Sequence, residues 1–157
     1  MKQVPHSAVK AVAPGASHEE RLGRGPLSGM RVLVVDDDRV PRRIIANAVA
    51  KAGGEAVEAE DGTAGLALFS AAPAAFDATI TDFVMPGLDG ADLVHAMRAL
   101  GFAGPLIGMS GTASAAQIIA WKLAGCDEVL EKGISMAELV NELAAVCRRR
   151  ARTRFIV

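Results

Sequence analysis

Thr79-Ile80-Thr81-Asp82-Phe83-Val84-Met85-Pro86-Gly87-Leu88-Asp89-Gly90 is the stretch on which the reading of the chain turns. Ala78-Thr79-Ile80-Thr81 reads as the end of a buried strand. Met85-Pro86-Gly87 and Asp89-Gly90 are turn chemistry, because Pro fixes φ and Gly supplies left-handed backbone. Asp82 therefore falls where a strand stops and a loop begins. In an open α/β sheet that carboxyl-terminal edge is where ligands bind. One carboxylate there decides little, so the weight lies on what the other strand ends carry.

Working outward, Arg31-Val32-Leu33-Val34-Val35 is short, β-branched and apolar, the pattern of a buried parallel strand, and it ends in Asp36-Asp37-Asp38. A helix is expected over residues 39–52, with Pro41 in its first turn, Asp38 as its cap and Gly53-Gly54 as its stop. Val40, Ile44, Ile45, Ala48, Val49 and Ala52 form its apolar stripe. Glu55–Ala59 reads as a second strand nearer the edge, and Asp61 caps a helix that reaches about Ala71. Phe76–Thr81 is the third strand. Asp89 caps a third helix through about Leu100, with Leu93, Val94, Met97 and Leu100 on one stripe. Pro105–Met109 is the fourth strand, with Ser110-Gly111-Thr112 at its end. A fourth helix runs over 113–124 and stops at Gly125. Asp127–Glu131 is the fifth strand and leads to Lys132-Gly133. Ser135 and Glu138 make a capping box for a last helix that runs into Arg148-Arg149-Arg150. Five strands alternating with five helices give an α/β fold, a doubly wound parallel sheet with helices on both faces.

The chain has 157 residues, 51% apolar and 4% aromatic, enough for one domain with an aliphatic core. No apolar run is long enough to span a bilayer, and no signal-peptide pattern is present, so the expectation is a cytoplasmic protein with no membrane partner. Cys126 and Cys147 have no metal-like spacing and read as reduced thiols. The net charge of −1 hides an asymmetry: residues 30–147 hold 8 Lys/Arg against 16 Asp/Glu, while residues 1–29 carry +2 and 148–157 carry +5. An acidic body argues against nucleic-acid binding by the core. The expected organisation is a flexible arm or linker over 1–29, one domain over 30–147 and a basic tail over 148–157. That tail reads first as arginines complementing the dipole of a fraying helix end, and second as a contact for nucleic acid or an anionic membrane.

With this topology the strand ends bring Asp36, Asp37, Asp82, Ser110 and Lys132 to one rim. Three carboxylates in one crevice repel, and each is pushed toward holding a proton. A hard divalent cation removes that conflict, and Mg2+ suits it because it binds through one or two carboxylates and keeps positions for water and phosphate oxygens. A lysine and a hydroxyl beside such a site complete a phosphoryl-binding pocket, where positioning and charge neutralisation do most of the catalysis. An aspartate can itself be the nucleophile and form an acyl phosphate.

The set Val-Val-Asp-Asp-Asp (34–38), Thr-Asp-Phe-Val-Met-Pro-Gly-Leu-Asp-Gly (81–90), Met-Ser-Gly (109–111) and Glu-Lys (131–132) resembles the receiver domain of response regulators, over about Met30 to Cys147. The resemblance implies a flavodoxin-like strand order 2-1-3-4-5 with the site at the switch point. It implies Asp82 as phosphoryl acceptor, Asp37 as a direct Mg2+ ligand, Asp36 holding the metal through its water, and the backbone carbonyl of Val84 as a further ligand. Ser110 would hydrogen-bond the phosphoryl group and Lys132 would pair with its oxygens. The donor would be a histidine kinase or histidine phosphotransfer protein in a two-component phosphorelay. The product would be a phospho-switch with only self-phosphorylation and autodephosphorylation activity, monomeric or dimerising on phosphorylation. Output would pass through the fourth helix, fifth strand and fifth helix to another protein or another part of a longer chain. Two positions depart from the family pattern: Val129 stands where an aromatic is common, and Gly133 follows the lysine where a cis proline is usual.

Two other readings compete. A phosphorylation-independent scaffold (a pseudo-receiver) requires a missing acceptor, metal ligand or lysine, and none is missing. A small Mg2+-dependent phosphatase of the haloacid dehalogenase type usually has a second Asp two residues after its nucleophile, where this chain has Val84. His6, His18 and His95 lack a donor context, and His95 reads as a surface or boundary position. Trp121, the sole tryptophan, is expected beside Ile118 and Lys122 and away from a core stripe that carries Ile119. It reads equally as a contact surface or as a cover for the core.

Overall fold

The structure, a computed structural model, describes residues 25–154. Alternation governs its first strand. In β1 (Arg31–Val35) Val32 and Val34 point to one face of the sheet and Leu33 and Val35 to the other, and all four are essentially inaccessible. The other strands are β2 (Glu55–Ala59), β3 (Ala78–Asp82), β4 (Leu106–Ser110) and β5 (Glu128–Glu131). All pair in parallel in the order β2-β1-β3-β4-β5, the expected one. The helices are α1 (Arg39–Lys51), α2 (Gly62–Ala71), α3 (Gly90–Ala99), α4 (Ala115–Ala124) and α5 (Met136–Thr153), with a 3-10 turn at Pro73–Ala75.

Each face of the sheet carries its own core. On one, Val32, Val34, Ile80 and Ile107 pack against Ile45 and Val49 of α1 and Leu139 and Leu143 of α5. On the other, Leu33, Val35 and Leu106 pack against Phe69 of α2 and Leu93, Val94 and Met97 of α3. Each such side chain contributes about 1.5–3 kcal/mol on burial, and the alanines and leucines of α2, α3 and α5 favour the helix locally. The caps are local and polar. The carboxylates of Asp38, Asp61 and Asp89 and the hydroxyls of Ser114 and Ser135 accept main-chain N–H groups in the first turns of α1, α2, α3, α4 and α5.

Several expectations need correction. Val40 and Ile44, placed on the apolar stripe of the first helix, are 65% and 49% exposed, because α1 leans on the sheet through Ile45, Ala48 and Val49. Leu100 is 56% exposed and Ile119 60% exposed, so neither lies on a core stripe. β3 starts two residues later than expected, since Asp77 turns to accept the Arg31 N–H at 2.8 Å. Residues 1–24 of the expected arm lie outside the described residues. Its end does not behave as a linker: Leu27 is fully buried, and its N–H donates to the Ala52 carbonyl. At the other end α5 continues to Thr153, where Arg149 and Arg150 reach back to Glu128 and Asp127.

Candidate functional site

Parallel register lines up the strand ends. Val35 pairs with Thr81, Asp82 with Met109, and Ser110 with Glu131. The residues that follow β1 and β5, Asp36 and Lys132, therefore meet Asp82 and Ser110 on one rim. Asp36, Asp37 and Asp82 each bring a carboxylate oxygen to within 4.8 Å of the others'. Asp36 and Asp82 are almost fully buried and Asp37 is exposed, so the cluster opens to solvent on one side. Lys132 Nζ donates to Asp82 Oδ2 at 2.9 Å and lies 3.9 Å from Asp36 Oδ2.

The charges are unbalanced and the protonation equilibria show it. Burial pushes the Asp36 carboxyl up. The Asp38 N–H that bonds it pulls back, and the Asp82 charge pushes further up. For Lys132 burial alone would lower the ammonium. The hydrogen bond to Asp82 and the charges of Asp36, Asp82 and Asp37 outweigh it and hold the lysine above its usual value. One ammonium faces three carboxylates whose donors are all hard oxygens. A divalent cation of the Mg2+ type fits that set.

Ser110 is 3% exposed, and its carbonyl accepts the Lys132 N–H at 2.9 Å, so the two residues are tied across the rim. The turn after the lysine closes by an Ile134 N–H bond to Glu131, and no cis peptide bond occurs among the described residues. Val84 is 73% exposed, and its N–H donates to Asp82 Oδ1 at 3.2 Å, which fixes the acidic side chain toward the rim. The structure thus gathers Asp36, Asp37, Asp82, Ser110 and Lys132 and sets Val84 beside them. His95 is exposed on α3.

Two neighbours of the rim escaped the sequence reading. Arg42, one turn into α1, donates to the Asp36 carbonyl at 2.9 Å and to Glu58 of β2 at 3.3 Å. Arg43 pairs with the other Glu58 oxygen. The guanidinium of Arg42 thereby ties the acidic loop to β2 without occupying the carboxylates. A charged pair at positions 42 and 43, about one turn past the acidic triplet's end, was the only sequence signal. The second is Phe83, 2% exposed, whose ring lies flat on Trp121 with centroids 3.8 Å apart and planes 5° from parallel. Trp121 therefore covers the core, as one of its two sequence readings expects.

Comparison with known proteins agrees with this geometry. The family model for the response regulator receiver domain matches residues 32–144. The chain is 38% identical over 123 residues to the transcriptional regulatory protein PrrA of Mycobacterium bovis, covering 78% of this chain and 52% of PrrA. It is 32% identical over 125 residues to the sensor histidine kinase RcsC of Salmonella typhi, covering 80% of this chain and 13% of RcsC. Among solved structures, the chemotaxis protein CheY4 of Vibrio cholerae superposes with a TM-score of 0.70 at 28% identity, over 74% of this chain and 98% of that one. A receiver domain protein of Clostridium thermocellum gives 0.73 at 24% identity, over 79% and 98%, a likeness of fold. The chain belongs to the response regulator receiver family, the phospho-switch domains of two-component systems. It spans about half the length of PrrA and a smaller part of RcsC.

Proposed function

We propose that this receiver accepts a phosphoryl group on Asp82 from a phosphohistidine of a histidine kinase or histidine phosphotransfer protein. The observation that carries the proposal is the pairing of Lys132 with Asp82 at the edge of a three-carboxylate cluster that it cannot neutralise alone. A carboxylate oxygen of Asp82 attacks phosphorus, the P–O bond forms as the donor's P–N bond breaks, and the imidazole leaves with the electron pair and takes up a proton. Asp37 and Asp82, with the Val84 carbonyl, would ligate Mg2+, and Asp36 would hold its water. When bound, the cation supplies charge neutralisation for the transferring oxygens. Lys132 is released from its ion pair to meet the incoming phosphoryl oxygens, and Ser110 donates its hydroxyl to another. Water at the same site later hydrolyses the acyl phosphate, so the protein is a timed switch with no turnover of a metabolite. That RcsC carries the name of a sensor histidine kinase supports the assignment of partner class.

Incubation with acetyl phosphate tests the reading. Hydroxylamine-labile phosphate should appear with Mg2+ and be absent with chelator or in Asp82→Asn. Folded protein that takes no label would leave a scaffold.

A further inference from the structure

The helix nearest the acceptor's neighbour has an unusual anchorage. No residue of α4 is buried, and Ile119 and Leu123 are 60% and 82% exposed. Its apolar contact with the core runs through Trp121, half-buried and stacked on Phe83, beside an exposed Lys122–Glu128 ion pair to β5 at 3.7 Å. Phe83 directly follows Asp82, and its N–H bonds the Met109 carbonyl in β4.

The slot for the Phe83 ring is cut to size by two glycines. A Cβ on Gly108 of β4 would lie 1.6 Å from Phe83 Cε2, and one on Gly90 of α3 would lie 2.9 Å from Cδ1. The ring is thus walled by β4 and by the start of α3, with Trp121 as its remaining face. The Gly90 N–H also bonds the Phe83 carbonyl, so the peptide is held at both ends. A ring so confined has no small adjustments open to it; packed interiors shift between discrete arrangements. Any rearrangement of the backbone at 82–84 has to be met by Trp121, and with it by α4.

We propose that the Phe83–Trp121 stack is the device by which phosphorylation of Asp82 repositions α4 and its exposed Ile119 and Leu123. The inference rests on Asp82 being the acceptor, as proposed above. Lys132 leaves Asp82 for the phosphoryl oxygens, the 82–84 segment re-forms around the new group, Phe83 passes to a second discrete packing, and α4 follows the indole.

Trp121 is the sole tryptophan and the chain has no tyrosine, so emission at long wavelength reports this one position. The experiment adds beryllium trifluoride, a phosphoryl mimic, with Mg2+ and follows Trp121 emission together with amide exchange over residues 115–124. Labelling from acetyl phosphate runs in parallel. Wild type should label, shift its emission and change α4 exchange, and Asp82→Asn should do none of these. Phe83→Leu should still label, with both α4 responses reduced to the Asp82→Asn level. Trp121→Leu, which leaves β3 untouched, should label and lose the exchange response. Either variant labelling while α4 responds as in wild type would overturn the device. So would a wild type that labels with α4 silent. A wild type that takes no label overturns the acceptor reading itself, and the label separates the two failures.

Discussion

The two ends of the sheet hold opposite kinds of charge cluster. At the amino-terminal edge Asp127 meets Arg98 and Arg150, at 3.0 and 2.8 Å, and also accepts the Leu106 N–H. The remaining donors of Arg98 go to the carbonyls of Gly125, Phe102 and Gly104, and Arg150 reaches Ala103. This cluster is closed, for each of its charged groups has a partner, and it clamps α3, β4, β5 and α5 together. At the carboxyl-terminal edge three carboxylates share one lysine. That edge is open, and its deficit of positive charge can be met only from outside. One end is spent on stability, and on the function proposed here the other would take a cation and a phosphoryl group.

Removing charge should therefore have opposite signs at the two ends. Asp127→Ala leaves two guanidiniums facing each other and the Leu106 N–H unbonded. A loss of about 2–3 kcal/mol is expected for this partly buried network, read by urea denaturation. Saturating Mg2+ works on the open end alone. At ten times its dissociation constant it should stabilise wild type by about 1.4 kcal/mol and leave an Asp37→Asn variant unmoved in thermal melts.

Asp36→Asn should stabilise the metal-free protein by about 1 kcal/mol, a rise of about 4 °C in melting temperature, by relieving buried like charge. The sign follows from its raised carboxyl. The folded state favours the protonated form, so the Asp36 contribution is best at low pH and is lost as pH rises through the raised value. In Asn that slope should vanish, and melts between pH 4 and pH 8 check it. Arg42→Met should weaken Mg2+ binding by about tenfold in calorimetric titration, because the Asp36 carbonyl loses its fixed donor. The smallest effect concerns the closed edge: burial pushes the Cys126 thiol up to about 12, so it should resist alkylation at pH 8 until the protein unfolds.

Much of the open end could be read directly from the chain because parallel strands deliver consecutive residues to one rim. Asp36, Asp82, Ser110 and Lys132 each follow or finish a short apolar run, and register does the rest. The caps at Asp38, Asp61, Asp89 and Ser135 were readable for the same local reason. The closed end was not, since Arg98, Asp127 and Arg150 are joined only by long side chains crossing between elements. Periodicity misled where it marked an apolar stripe without saying what covers it, as at Val40, Leu100 and Ile119. It also could not show that Trp121 would find Phe83, or that Gly108 and Gly90 would clear the space. Val129, which lacks a ring, left the route from site to surface unread, and the stack offers one.

Borohydride reduction followed by peptide mapping tests the central claim most directly. An acyl phosphate on aspartate is reduced to homoserine, so the acceptor is marked at its own position. After acetyl phosphate and Mg2+ the account predicts homoserine at position 82 and at no other aspartate, and none when Mg2+ is chelated. Homoserine at 36 or 37, or an unmodified 82 in folded, Mg2+-loaded protein, would contradict it.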